Sequence, residues 1–176
     1  HLTNNIEYGT RDQWASFYKD IFGFYEIRYF DIRGEKTGLT SFALKSPCNT
    51  FAIPINEATE EASQIAEYIR EYHGAGIQHI ALLSNNLLSS LDNLEGSGIE
   101  TLDIDESYYE EAFGRVPTLK EDKEHIKRHS ALVDGDEEGY IIQIFTKNIF
   151  GPIFFEMIQR NNHQSFGEGN FGALFR

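Results

Sequence analysis

Apolar positions recur with a period near 3.6 in three stretches of the chain and near two in most of the others. In RDQWASFYKDIFG, Trp14, Phe17, Tyr18 and Ile21 fall on one helical face. In LLSSLDNLEGSG that face carries Leu87, Leu91 and Leu94, and in EEASQIAEYIREYH it carries Ile65, Tyr68, Ile69 and Tyr72. Gly23 and Gly98 stand where a left-handed C-terminal cap would close the first two helices. Strands are predicted at HLTNN, FYEIRYF, TGLTSFALK, TFAIPI, QHIAL, IETLDI, SALVD, YIIQIFTK and PIFFEMIQR.

The order of these elements repeats. Each half opens with a histidine-bearing strand and a turn with two asparagines, followed by an amphipathic helix, a glycine and another strand. The pattern predicts an α+β fold of two βαβββ modules, at about residues 1–57 and 76–160, joined by a helix at about 59–73. Helices would pack on one side of mostly antiparallel sheets. The acidic stretch 103–129 is expected to hold short helices in a long connection. No linker rich in Pro, Gly or Ser interrupts the chain, so residues 1–176 read as a single domain.

Charge narrows the partners. A net charge of −13 argues against nucleic acid and anionic membrane, both of which need a basic footprint. No apolar run approaches the ~18 residues of a membrane span, and no basic, apolar leader opens the chain. Cys48 is the only cysteine, which excludes an intrachain disulfide and fits a cytoplasmic location. The chain starts at His1 without a methionine and reads as a piece of something longer.

One strand is chemically odd. IFFEMIQR carries Glu156 at the centre of an apolar run, where a carboxylate needs a cation or hydrogen-bond donors. Period two puts Phe154, Glu156 and Ile158 on one face, and Ile77, His79 and Ala81 on one face of QHIAL. His79 follows His1 by 78 positions and Glu156 follows His79 by 77, the near-equal spacing a duplicated module would give. Two imidazoles and a carboxylate with open positions form the facial triad of non-haem Fe(II) oxygenases. A pair of hydrogen-bonded strand histidines, and an ion pair between Glu156 and Arg160, remain open alternatives. His73, His125, His129 and His163 lie in polar contexts and are expected to be solvated.

The segments GAGIQHIAL, IIQIFTK, GPIFFEMIQR and FGEGNFGALF, with HLTNN, YFDIRGEKTGLTS and IPINE upstream, resemble the 4-hydroxyphenylpyruvate dioxygenases in order and separation. The resemblance covers essentially the whole chain. It implies the vicinal-oxygen-chelate fold, with two modules forming a curved mixed sheet around a metal site. It also implies that an N-terminal domain and a C-terminal helix of the family lie outside this sequence.

Carried over residue by residue, the resemblance implies Fe(II) held by His1, His79 and Glu156. It implies a substrate pocket of Ser41, Pro54, Asn56, Gln64, Gln143, Phe145, Phe154, Phe166, Asn170 and Phe171. Gln64, Gln78, Gln143 and Asn56 would orient the reacting groups, with Gln78 acting from behind His79, because strict alternation turns it off the His79 face. The implied activity is a non-haem Fe(II) dioxygenase of tyrosine and phenylalanine catabolism, converting an aromatic 2-oxo acid and O2 into homogentisate and CO2. A homo-oligomer is implied for the full-length protein. Two other functions fit the same pattern: 4-hydroxymandelate synthase and a metal-free binding module. The Pro54–Asn56 pair favours the homogentisate-forming enzyme.

Overall fold

The computed structural model describes residues 1–33, 38–59 and 63–174. The GEKT tip (34–37), the start of the expected linking helix (60–62) and the last two residues of FGALFR lie outside the described residues. The chain divides into two compact units, His1–Ile80 with Asn148–Phe154, and Ala81–Lys147 with Phe155–Arg176.

Unit 1 holds β1 (Leu2–Ile6), α1 (Arg11–Phe22), β2 (Tyr25–Arg33), β3 (Gly38–Lys45), β4 (Ala52–Ala58), α2 (Gln64–Tyr72) and the first part of β5 (Gly76–Leu83). Its strands lie in the order β2-β3-β4-β1-β5. β1 runs parallel to β4, and the other pairs are antiparallel. Alternation sorts the two faces. Ile6, Phe42, Leu44, Ile53 and Ile55 pack against Trp14, Ala15 and Tyr18 of α1, while Thr3, Asn5, Ser41 and Asn56 alternate to the other face. Gly23 caps α1 in the left-handed region at φ 69°, as its position predicts.

The face of α1 differs from its periodicity. Trp14 and Tyr18 join the core beside the buried Ala15, but Phe17 and Ile21 are exposed. The inward stripe is centred one position off the apolar spacing, and Phe17 instead meets the rings of Trp14, Tyr18 and Phe22 edge-on. In α2, Ile65 and Tyr68 are buried and Tyr72 stacks on Tyr68 at 5.3 Å. Those two rings sit over Gly76, where a Cβ would come within 2.3 Å of Tyr72 and 2.7 Å of the Tyr68 hydroxyl.

Unit 2 continues with α3 (Leu87–Leu94), α4 (Glu106–Arg115), α5 (Lys123–Arg128), β6 (Leu132–Gly135), β7 (Tyr140–Phe145) and β8 (Phe154–Asn161). A 3-10 turn at Glu168–Asn170 and α6 (Phe171–Leu174) end it. Its strands lie in the antiparallel order β8-β7-β6. Leu87, Leu88 and Leu91 of α3 pack with Val133, Tyr140, Ile142 and Ile144 on one face, leaving Gln143, Phe145, Glu156 and Ile158 on the other. The acidic connection does hold two short helices, each started by an aspartate: Asp105 accepts from the Ser107 N–H and Asp122 from the His125 N–H, both at 2.8 Å.

Two expectations fail here. IETLDI is not a strand; Thr101 makes a single bridge to Thr146. α3 stops at Leu94, so Gly98 does not cap it; Gly96 (φ 78°) and Gly98 (φ 83°) instead shape the turn beyond. No helix among the described residues is long and apolar enough to cross a membrane.

Candidate functional site

In unit 1 the face turned away from α1 is polar. Ser41, Asn56 and Asn5 lie directly opposite one another on β3, β4 and β1. Asn56 donates from Nδ2 to Asn5 Oδ1 at 3.4 Å. Asn5 has no exposed surface and its Nδ2 has no hydrogen-bond partner among the described residues, so a buried donor is left unanswered. Pro54 stands two positions before Asn56 on the same strand face.

Further along β1, Thr3 pairs with His79 of β5, and its Oγ1 lies 3.0 Å from His79 Nε2. His1 and His79 approach with Nε2 atoms 3.3 Å apart and rings edge-to-face at 5.4 Å. His79 Nδ1 lies 3.0 Å from Gln78 Oε1. An amide oxygen only accepts, so Nδ1–H is the donor here, and in the neutral ring that leaves the lone pair on Nε2, the form a metal ligand requires. Gln78 thus sets the tautomer from behind the ring. Phe154, at the start of β8, stacks on the His79 ring at 4.9 Å. Gln64 begins α2, because Ser63 caps that helix by accepting from Ala66 N–H, and its side chain is exposed.

In unit 2, Glu156 is 1% exposed. Gln143 Nε2 donates to its Oε1 at 3.0 Å, and Asn170 Nδ2 donates to Gln143 Oε1 at 2.8 Å. Tyr108 hydroxyl donates to Asn170 Oδ1 at 2.7 Å and accepts from Val133 N–H at 2.9 Å. Burial pushes the Tyr108 phenol pKa up, so it stays a neutral donor. The tail closes over Gln143 through Gly167, where a Cβ would fall 1.8 Å from Gln143 Oε1. Arg160, on the same strand as Glu156, directs Nη1 to the carbonyls of Ser165 (2.5 Å) and His163 (3.2 Å). Its guanidinium lies over the Phe166 ring at 5.8 Å. Phe145 ends β7 opposite Glu156, and Phe171 opens α6.

The chain matches the Glyoxalase/Bleomycin resistance protein/Dioxygenase superfamily over residues 8–113. It belongs to that superfamily. Protein MelA of Shewanella colwelliana is 57% identical over 176 residues, covering 99% of this chain and 51% of that protein. The 4-hydroxyphenylpyruvate dioxygenase of Legionella pneumophila (strain Corby) is 50% identical over 178 residues, again covering 99% of this chain and 51% of that protein. The chain spans about half the length of the curated relatives it matches. A triple mutant of 4-hydroxymandelate synthase from Streptomyces coelicolor superposes with a TM-score of 0.87 at 26% identity, over 99% of this chain and 51% of that one. The vicinal-oxygen-chelate fold that the resemblance implied is therefore the fold of this chain.

For this glyoxalase-superfamily chain, sequence reasoning passed over three side chains that the structure brings to the polar faces. Thr3 and Asn5 were legible, since period two in HLTNN aligns them with His1. Tyr108 carried no local signal, because it meets Asn170 from 62 positions away. The expectation of a solvated His125 and His129 also needs correction: both imidazoles are bonded to Asp92. So does that for His163, whose Nδ1 lies 2.8 Å from Ser165 Oγ.

Proposed function

We propose that the chain is the metal-binding part of a 4-hydroxyphenylpyruvate dioxygenase, with His1, His79 and Glu156 holding ferrous iron. The observation that carries this reading is the imidazole pair of unit 1, two Nε2 atoms 3.3 Å apart with the His79 tautomer set by Gln78. The donor set fits a divalent cation. Two imidazoles can offer lone pairs, and the buried Glu156 carboxylate, oriented by the neutral Gln143 amide, supplies negative charge. Bound there, ferrous iron supplies coordination positions and the redox chemistry with O2. The names of the dioxygenase relatives, at 50% and 48% identity, supply the substrate class, 4-hydroxyphenylpyruvate; the resemblance to that family implies homogentisate and CO2 as the products formed with O2.

The protein's own residues bind and orient. The Ser41–Asn56–Asn5 row offers hydroxyl and amide groups, and the unanswered Asn5 Nδ2 suits a substrate oxygen. Gln143 and Asn170 fix the carboxylate through a bonded chain. Phe145, Phe154, Phe166 and Phe171 supply the aromatic walls that hold the substrate ring and exclude water, with Pro54 beside Asn56 and Gln64 at the start of α2. In this reading the full-length enzyme is a cytoplasmic homo-oligomer of tyrosine breakdown that binds neither nucleic acid nor membrane.

A second reading is favoured by the TM-score of 0.87 to 4-hydroxymandelate synthase. Incubating the full-length protein with Fe(II), 4-hydroxyphenylpyruvate and O2 separates them. Homogentisate supports the dioxygenase, and 4-hydroxymandelate the synthase. Absence of both metal binding and turnover would leave a binding module.

A further inference from the structure

Within unit 2 a second group of metal-ligating side chains converges, sharing no residue with the site proposed above. His125 and His129 stand four positions apart at the C-terminal end of α5, the spacing that puts two side chains on one face of a helical turn. The Asp122 cap fixes where that turn begins. Asp92 reaches them from α3: its Oδ1 lies 2.9 Å from His125 Nε2 and 2.8 Å from His129 Nε2. The imidazole centroids are 5.3 Å apart, and the three donor atoms lie within 4.8 Å of one another. Glu95 Oε1 stands 3.9 Å from His129 Nε2. Arg128 donates its guanidinium to the same Asp92 Oδ1 and lies 3.6 Å from Glu95. The same guanidinium nitrogen lies 3.2 Å from His125 Nε2 and 3.3 Å from His129 Nε2, so a cationic group already sits among all four side chains.

We propose that Asp92, His125 and His129 form a second divalent-metal site, with Glu95 as a fourth ligand and Arg128 as the resident cation that the metal displaces. Two imidazoles with carboxylates suit Zn2+, Ni2+ or Cu2+; Mg2+ and Ca2+ prefer all-oxygen shells. Ligand atoms ~2.0–2.2 Å from a tetrahedral metal lie about 3.4 Å from one another. The observed 2.8–2.9 Å spacings must therefore open by about half an ångström, within reach of small side-chain rotations. Arg128 and Glu95 are more than half exposed, so the guanidinium can leave to solvent and the carboxylate can close in. His129 is almost enclosed and needs no reordering. A metal held there clamps α3 to α5, because its ligands come from both helices.

Calorimetric titration of the full-length protein with Zn2+ tests this, with Mg2+ as the contrasting ion. His125→Ala and Asp92→Asn should each lose one zinc equivalent that Glu156→Gln retains. Both positions lie away from the core, so a folding defect in one leaves the other informative. Arg128→Ala should bind that zinc several-fold more tightly, whereas a purely structural hydrogen-bond cluster would lose stability without any effect on metal. Co2+ in place of zinc should give a visible absorption that both ligand variants abolish. Wild-type stoichiometry and affinity in both His125→Ala and Asp92→Asn would overturn the proposal. So would loss of all zinc binding in Glu156→Gln, or equal affinity for Mg2+.

Discussion

Gln143 and Glu156 stand diagonally across β7 and β8, and the Gln143 amide donates to the Glu156 carboxylate at 3.0 Å. The same amide accepts from Asn170, which in turn accepts from Tyr108, so the orientation of a buried carboxylate is set by a phenol on α4. Each link leaves the next group with one geometry, because a primary amide that accepts on its oxygen presents its N–H to the other side. Asn170→Ala should strand the buried Gln143 oxygen at a cost of about 1–3 kcal/mol, read by chemical denaturation. Tyr108→Phe should cost less, and both should slow turnover more than they weaken substrate binding. A KM effect with unchanged kcat would assign the chain of bonds a different role.

Glu156→Gln keeps the shape of the side chain and removes its charge. If Glu156 is a metal ligand, the metal-free protein should melt at the wild-type temperature or above, because a desolvated charge has been removed. The Fe(II)-induced rise in Tm should vanish, since that rise grows with free metal over Kd. Melting curves with chelator and with Fe(II) under argon read both. An unchanged Fe(II) shift would remove Glu156 from the ligand set.

Gln78→Leu should act on metal binding through the His79 tautomer. Without the acceptor at Nδ1, the ring is free to carry its proton on Nε2, where it cannot ligate. A loss of about 10–100-fold in Fe(II) affinity is expected, with little change in metal-free stability, measured by anaerobic titration.

Gly167 and Gly172 form a matched pair for the tail. At Gly167 (φ +82°) a Cβ would collide with Gln143, so Gly167→Ala should displace the tail and lower turnover sharply. At Gly172, in α6, nothing lies within 4 Å, and Gly172→Ala should be neutral or mildly stabilising. Activity of the two variants side by side checks this, and equal loss in both would count against close packing at Gly167.

Asp92 should leave a signature at low pH. Its hydrogen bonds from His125 and His129 lower its pKa to about 2. A depressed carboxylate pKa adds stability above the unfolded value, and that contribution disappears as pH falls through the folded one. The window runs from about 4 down to about 2. Asp92→Asn should flatten the acid limb of the stability profile in that window, measured by denaturation at stepped pH.

Much of this was written locally. Period two puts His1, Thr3 and Asn5 on one strand face and Glu156 in line with Phe154, and an isolated carboxylate among Ile, Phe and Met announces a partner. Gly23 marks a helix end because only the left-handed region satisfies that cap. These features depend on neighbours within a turn or a strand. What the tertiary structure alone decided depends on distance in space. Only packing shows that Gln143, Asn170 and Tyr108 serve Glu156, since 27 and 62 positions separate successive members of the chain. The inward stripe of α1 shifted because the sheet beneath it accepts Trp14, Ala15 and Tyr18 and leaves Phe17 outside. IETLDI stayed irregular, although its residues favour a strand, because it pairs at only one bridge. His125 and His129 read as solvated because each lies among polar neighbours in the sequence. Only the approach of α3 to α5 makes them one site with Asp92.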